Sequence, residues 1–428
     1  MTSPLLSYYG DDFTGSTDVM EALATHGVRT VLFTRTPSTD EFEPFAGYQA
    51  FGLAGTSRSQ TPEWMDDHLP PAFAWAKSLG ARFFHYKVCS TFDSAPHVGS
   101  IGRAIEIGAR TFAQDCVPLV VGAPQLKRYT FAGHLFAAYQ GQVYRIDRHP
   151  VMSCHPVTPM DESDLRIHLS RQTSLPVHLA SDLPSKPGIE LVDVHDAATQ
   201  MQAGERLLAL PGGIFVAGSS GVEYALMRAM AASGDGPGAA SFAPVAPVKS
   251  LIAVSGSVSP TTERQIRHSL ANGFEGLVAD PLDLAGDNQA TAMEQLTRDA
   301  VRHMGESRSV MVYTALGHAS DLGARLDAIP SGRQRVGEAL GTILRDVIRK
   351  TGARRAVISG GDTSSHALGQ LDVHALTTRF PLKATPGSPL CTAYSTAAEF
   401  NGIEIAMKGG QVGADGYFVA LRDGLAQS

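Results

Sequence analysis

The stretch LLSYYGDDFTGSTDVMEALATHGVRTVLF, residues 5–33, decides the fold. Its first residues, Leu5 to Tyr9, form a short apolar-rich run that stops at Gly10, as a buried strand would. Val19, Met20 and Leu23 then fall at helical spacing, and Gly27 is suited to close that helix before residues 28–33 resume as a strand. Asp18 and Glu21 are expected in the first turns, where carboxylates favour the helix dipole. Strand, helix and strand on such short links imply a right-handed parallel crossover, so the chain opens as an α/β unit.

The pattern repeats. Apolar runs over 48–55, 81–88, 117–124 and 212–218 each end in small or polar residues, with helices over 99–113 and from near Ser220. Residues 231–247, AASGDGPGAASFAPVAP, lack periodicity and are rich in Gly, Pro, Ala and Ser, which predicts a boundary between domains at 1–235 and 248–428. A second α/β unit follows, with strands over 249–257, 309–316, 354–360 and 403–410 and helices over 260–272, 333–352 and 363–371. The fold class is two α/β domains with mainly parallel sheets flanked by helices.

The 428 residues are 43% apolar, enough for sizeable cores, and the formal charge of −7 argues against a nucleic-acid binder. Cys89, Cys116, Cys154 and Cys391 show no paired spacing, so reduced thiols are expected rather than disulfides or zinc. No basic region precedes a long apolar run at the start, and no run approaches membrane-spanning length. A cytoplasmic protein without a membrane partner is the expectation, and a homo-oligomer is compatible with it.

Chemistry gathers at strand ends. In VISGGDTSSHAL, residues 357–368, Gly360 and Gly361 break off a strand ahead of a helix beginning near Asp362 and Thr363. Such glycines let a phosphate approach backbone amides at a helix N-terminus, although a tight turn capped by Asp362 or Thr363 would look the same. Two neighbours favour the phosphate: AVSGSVSPTTERQI carries Ser255 and Ser257 with Pro260 suited to the first helical turn, and IAMKGGQVGADGYF carries Lys408, Gly409, Gly410 and Gly413. Neither a Walker loop nor a dinucleotide fingerprint occurs. In the N-terminal unit Asp11 and Asp12 share a turn, one of them suited to capping the helix that follows. Thr56, Ser57 and Arg58, and Lys87, Ser90, Thr91 and Asp93, end two further strands. Singly, Arg58 or Lys87 reads as a solvated charge; together, beside hydroxyls, they read as a pocket for a sugar acid. His149, Cys154 and His155 lack metal-site spacing and read as a loop near the site mouth. No metal-ligating residues are identified.

In these motifs the chain resembles the four-carbon acid sugar kinases, over essentially its whole length. GDDFTGSTDVMEAL, SGSVSPTTERQI, SGGDT and MKGGQVGADGYF stand in the family's order. The resemblance implies a sugar-acid-binding N-terminal domain, an ATP-binding C-terminal domain, a site in the cleft between them, and phosphorylation of acids such as threonate, erythronate and oxo-tetronates. Asp11, Asp12, Gly15, Arg58, Lys87, Ser90 and Thr91 would then bind the acid sugar. Ser255, Ser257, Gly360, Gly361, Asp362, Thr363, Gly409, Gly410 and Gly413 would bind ATP, with Mg²⁺ bridging its phosphates. Asp362 or Asp12 would accept the hydroxyl proton. Two departures mark a divergent subgroup: Gly55 stands where the pattern has Asp or Asn, and CSTFD places Cys89 for an acid and Asp93 for an arginine. They imply a related oxo-acid, a branched one such as 3-oxo-isoapionate. The rival readings are a lyase using Lys87 as a Schiff-base amine and a non-catalytic sugar-acid sensor.

Overall fold

The computed structural model describes residues 3–155, 157–181 and 186–426, with the backbone alone at His318 and Asp362. These fall into two compact units, Met1–Ala240 and Ser241–Ser428.

The first unit carries β1 (Leu6–Gly10), β2 (Thr30–Phe33), β3 (Ala50–Ala54), β4 (Phe83–Lys87), β5 (Cys116–Val120), β6 (Arg128–Phe131), β7 (His134–Tyr139), β8 (Gln142–Arg145), β9 (Val177–Leu179), β10 (Gly188–Val192) and β11 (Ile214–Gly218). Eight of them pair in parallel in the order β2-β3-β1-β4-β11-β5-β10-β9. Outside the edge strand β9 their residues are almost all buried on both faces, which is why they read as nearly continuous apolar runs. β6, β7 and β8 form a separate antiparallel sheet after β5, which the apolar runs do not foreshadow.

The first helix starts earlier than its apolar spacing suggests, at Phe13, with Asp12 as its N-cap. Its first turn therefore holds no acid, and the expected dipole role of Asp18 and Glu21 does not hold. Both lie further along the helix and are buried. Another helix, Pro62–Ser78, runs through Pro70 and Pro71. Met65, Leu69, Phe73 and Ala76 form its buried stripe, and the Phe73 ring packs edge-on against Phe84 at 4.9 Å. That apolar face offsets what the prolines cost the helix.

The second unit carries β12 (Ile252–Ser255), β13 (Phe274–Val278), β14 (Ser309–Tyr313), β15 (Arg355–Ser359), β16 (Val373–Phe380), β17 (Leu390–Ser395) and β18 (Glu404–Lys408), in the order β13-β14-β12-β15-β18-β17-β16. The first five in that order are parallel, whereas β17 and β16 join antiparallel. Arg355 is buried and holds the entry segment: it pairs with Glu404 and donates to the carbonyls of Leu421 and Ala246 at 2.6 and 2.9 Å. Among the described residues no helix is long and apolar enough to cross a membrane.

Both sheets reverse their winding at a central pair. After β1 the chain moves to the β3 side, and after β4 to the other side; β12 and β15 repeat this. Ligand crevices in open α/β sheets lie at such points, beyond the carboxyl ends of the strands.

Candidate active site

In the first unit, Asp11 and Asp12 follow β1, and Lys87 ends β4 directly opposite Gly10. Asp12 does two jobs. Its Oδ1 accepts from the Gly15 amide, capping the helix Phe13–Thr25, and its Oδ2 accepts from Arg58 Nη1 at 2.8 Å. Arg58 Nη2 reaches Asp93 Oδ2, also at 2.8 Å, so this guanidinium bridges two carboxylates. Asp93 further accepts from Thr91 at 2.5 Å and Thr158 at 3.2 Å. Lys87 is buried, with Nζ 3.6 Å from Asp18 Oδ2, and Asp18 also accepts from Ser220. A Cβ at Gly15 would stand 2.7 Å from Asp12 Oδ1 and 3.2 Å from Lys87 Nζ, so the close approach of these groups requires glycine there.

The charges set one another's protonation. Burial lifts the Asp11 carboxyl to about 7; the negative charge of Asp12 adds to this, while Arg58 and Lys87 oppose it. Asp11 Oδ1 is buried without a hydrogen-bond partner among the described residues. Burial works against ionised Asp93 as well, but Arg58, His155 and the Thr91 hydroxyl hold it down at about 2. For Lys87, burial is outweighed by Asp18 and Asp11, which raise its ammonium above the ordinary lysine value. This amine stays protonated at neutral pH, the wrong state for Schiff-base attack.

The departures from the family pattern have a steric account. A Cβ at Gly55 would lie 2.0 Å from the Tyr9 hydroxyl, so the Tyr9 ring fills the volume of the absent side chain. Tyr9 stacks at 6.1 Å on Tyr86, whose hydroxyl lies 3.0 Å from Ser57 Oγ. Cys89 Sγ sits 3.0 Å from Thr91 Oγ1. His155 and Thr158 bring the proline-bracketed loop to Asp93, with Thr158 also 3.0 Å from His155 Nδ1. Ser90 is half-buried in the turn after β4.

The second unit gathers its glycine turns at the carboxyl ends of β12, β15 and β18. Gly360, at φ 118°, is the N-cap of the helix Gly361–Leu368, and among the described residues no side chain caps that helix. Its start therefore leaves amides free to meet an anion. A Cβ at Gly256 or Gly360 would lie 2.3 or 2.8 Å from Thr363 Oγ1, and one at Gly410 would lie 2.9 Å from Ser257 Oγ. Three turns from three strands thus meet around Ser257 and Thr363, with Ser255 Oγ accepting from the Ser257 amide at 3.4 Å. Gly413 stands apart, against Gln265 and Thr385. Gly409 accepts from Lys408 Nζ at 2.7 Å, and Thr262 lies 3.1 Å from the same ammonium. Burial alone lowers Lys408 to about 7. The Asp362 side chain lies outside the described residues. Among those residues no cluster of three or more His, Cys, Asp or Glu could hold a metal ion.

Asp18 extends the set singled out from sequence, and Lys408, noted there beside its glycines, joins the nucleotide set. Lys408 had a visible signal: like Lys87, it is a charge closing an apolar buried strand. Asp18 had none, because its direction depends on where the helix begins.

Comparisons with known proteins agree with this division of labour. A sugar-binding N-terminal domain model matches residues 6–226, and a nucleotide-binding C-terminal domain model matches residues 252–418. A 3-oxo-isoapionate kinase of Paraburkholderia graminis is 42% identical, over 98% of this chain and 94% of its own. A 3-oxo-tetronate kinase of Cupriavidus necator is 27% identical, over 97% and 96%. Among solved structures, one from Salmonella typhimurium LT2 described as a tRNA synthase superposes with TM-score 0.75 at 20% identity, covering 97% of this chain and 98% of its own; at that identity it speaks for the fold alone. The matched domain pair and the full-length relatives place the chain in the four-carbon acid sugar kinase family.

Proposed function

We propose that this protein is an ATP-dependent kinase that phosphorylates a hydroxyl of a small oxo-acid sugar, with 3-oxo-isoapionate as the first candidate substrate. The observation that carries the reading is the pairing of two crevices of opposite character. One is lined by carboxylates, hydroxyls and committed cations; the other is lined by glycine turns and a buried lysine that has no carboxylate partner among the described residues. The branched acid is preferred because the relative named for it is 42% identical, whereas the 3-oxo-tetronate kinase of Cupriavidus necator is 27% identical.

In this reading the substrate hydroxyl oxygen attacks the γ-phosphorus, the bond to the β-phosphate oxygen breaks, and ADP leaves. Phosphoryl transfer asks the protein mainly for alignment and charge neutralisation. Ser257, Thr363 and the amides after Gly360 hold the phosphates, and Lys408 supplies a cation to them. Mg²⁺ arriving with the nucleotide would supply further charge neutralisation, and it is an ion that needs few protein ligands. In the sugar-binding unit the proton acceptor is Asp11 rather than Asp12. Asp12 is occupied by Arg58 and by capping, whereas Asp11 has a free buried oxygen and a pKa suited to general-base work. Asp362 is the candidate from the nucleotide half.

A coupled ADP-release assay with Mg-ATP tests the reading, using 3-oxo-isoapionate, 3-oxo-tetronates, threonate and erythronate. Acid-dependent ADP release with a phosphorylated product by mass spectrometry is expected. ATP binding without turnover on any acid would favour the sensor reading. Borohydride trapping of Lys87 with an acid would favour the lyase.

A further inference from the structure

The two cations that the sequence places at the sugar-binding crevice are already engaged. Arg58 spends Nη1 and Nη2 on Asp12 and Asp93, and Lys87 is buried against Asp18. A substrate carboxylate entering this crevice would meet Asp11, Asp12, Asp18 and Asp93 with no uncommitted positive charge among these residues.

Arg128 supplies one. It opens β6, and its backbone exchanges hydrogen bonds with Ala123 at 2.9 and 3.2 Å, which fixes it just beyond the carboxyl end of β5. Nη1 donates to the Leu126 and Lys127 carbonyls at 3.0 and 3.1 Å, so the guanidinium is held from one corner. Nε is buried without a hydrogen-bond partner, and no carboxylate lies within ion-pairing distance, among the described residues. An unpartnered buried donor of this kind is costly unless a ligand completes it. The groups that favour its charge are Cys89, next to Thr91 in the loop after β4, and Tyr129; burial works against it. His149, from the loop beyond β8, feels the same guanidinium. Arg128 is therefore fixed at Nη1 beyond the carboxyl end of β5, within the field of Cys89 from the loop after β4, and is open at Nε on the edge that pairs bidentately with carboxylates.

We propose that Arg128 binds the carboxylate of the acid sugar through its Nε edge and is the residue that makes the enzyme select an acid. The proposal rests on the acid-sugar reading above. It is tested by steady-state kinetics of Arg128→Met and Arg128→Lys with 3-oxo-isoapionate and with its uncharged carboxamide. Arg128→Met is expected to raise KM for the acid roughly 10- to 100-fold, the range for losing hydrogen bonds to a charged group. KM for ATP should stay the same, and the preference for acid over amide should fall by the same factor. Arg128→Lys keeps a point charge without the fork and should fall between. An unchanged acid-over-amide preference in both variants overturns the proposal, even if a lower melting temperature shows that the Leu126 and Lys127 contacts matter. Calorimetric titration of the acid without ATP separates the two readings. A wild-type protein that binds the acid through Arg128 but never releases ADP sinks the kinase and keeps this site; one that binds no acid sinks both.

Discussion

Lys87 and Lys408 occupy matching places in the two units and live in opposite surroundings. Each is the buried last residue of a parallel strand, β4 in one sheet and β18 in the other, next to the turn where ligands are expected. Lys87 has Asp18 3.6 Å away and Asp11 nearby, so its charge is held above the ordinary lysine value. Among the described residues Lys408 has only the Thr262 hydroxyl and the Gly409 carbonyl, and burial lowers it to about 7. The same residue type in the same topological slot is thus an ion-paired cation in one unit and, in the other, a lysine whose charge burial opposes. What differs is the company: Asp18, Asp11 and Asp12 stand around one, glycines and hydroxyls around the other.

The largest effect should come from removing each charge. Lys87→Met leaves Asp18 buried and unpaired, which is expected to destabilise the protein by roughly 3–5 kcal/mol. Lys408→Met strands no carboxylate among the described residues and should change stability by only about 1 kcal/mol. Urea denaturation of both variants checks this, and equal losses would erase the distinction.

The pH dependence sharpens it. Lys408 titrates lower in the folded protein than its ordinary 10.5, so the unfolded chain holds that proton more tightly. Its contribution to stability therefore rises as pH climbs from about 7 towards 10.5. Lys87 is raised, so its contribution is complete below 10.5 and is lost at higher pH. ATP binding at pH 8 should also drive proton uptake onto Lys408, read as a buffer-dependent enthalpy in calorimetry and absent in Lys408→Met. Asp11, raised from 3.8 to about 7, costs stability as pH rises between those values. Asp11→Asn should remove that slope in melts at pH 5 and pH 8 and lower turnover roughly 10²–10⁴-fold if Asp11 is the base. Retained turnover in Asp11→Asn, with loss in Asp362→Asn, would move the proton acceptor to the nucleotide half.

A smaller effect than that of Lys87→Met belongs to glycine. Gly360→Ala places a Cβ 2.8 Å from Thr363 Oγ1 at φ 118°, which should cost roughly 1–3 kcal/mol of strain and weaken ATP binding. Titration with the acid sugar should be unmoved.

Much of this contrast was legible in residues 5–33 and in the glycine turns at 255–257, 360–363 and 408–413, because buried parallel strands write themselves as apolar runs with punctuated ends. Asp18 was misread because the helix start rests on Asp12 acting as a cap, and shifting that start changes which side chains face β4. Arg128 was not legible at all. It reaches the crevice through the small antiparallel sheet β6–β8, whose half-exposed residues carry no continuous apolar signal. The antiparallel pair β16 and β17 escaped for a related reason: residues such as Thr377, Thr378 and Arg379 break the run that a buried strand would show.

The central claim, that each unit serves one ligand, is tested most directly by a crossed titration. A non-hydrolysable ATP analogue and 3-oxo-isoapionate would each be titrated calorimetrically into wild type, Lys408→Met and Arg128→Met. The account predicts that Lys408→Met weakens only the nucleotide and Arg128→Met only the acid. Loss of acid binding in Lys408→Met with nucleotide binding intact, or of nucleotide binding alone in Arg128→Met, would contradict it.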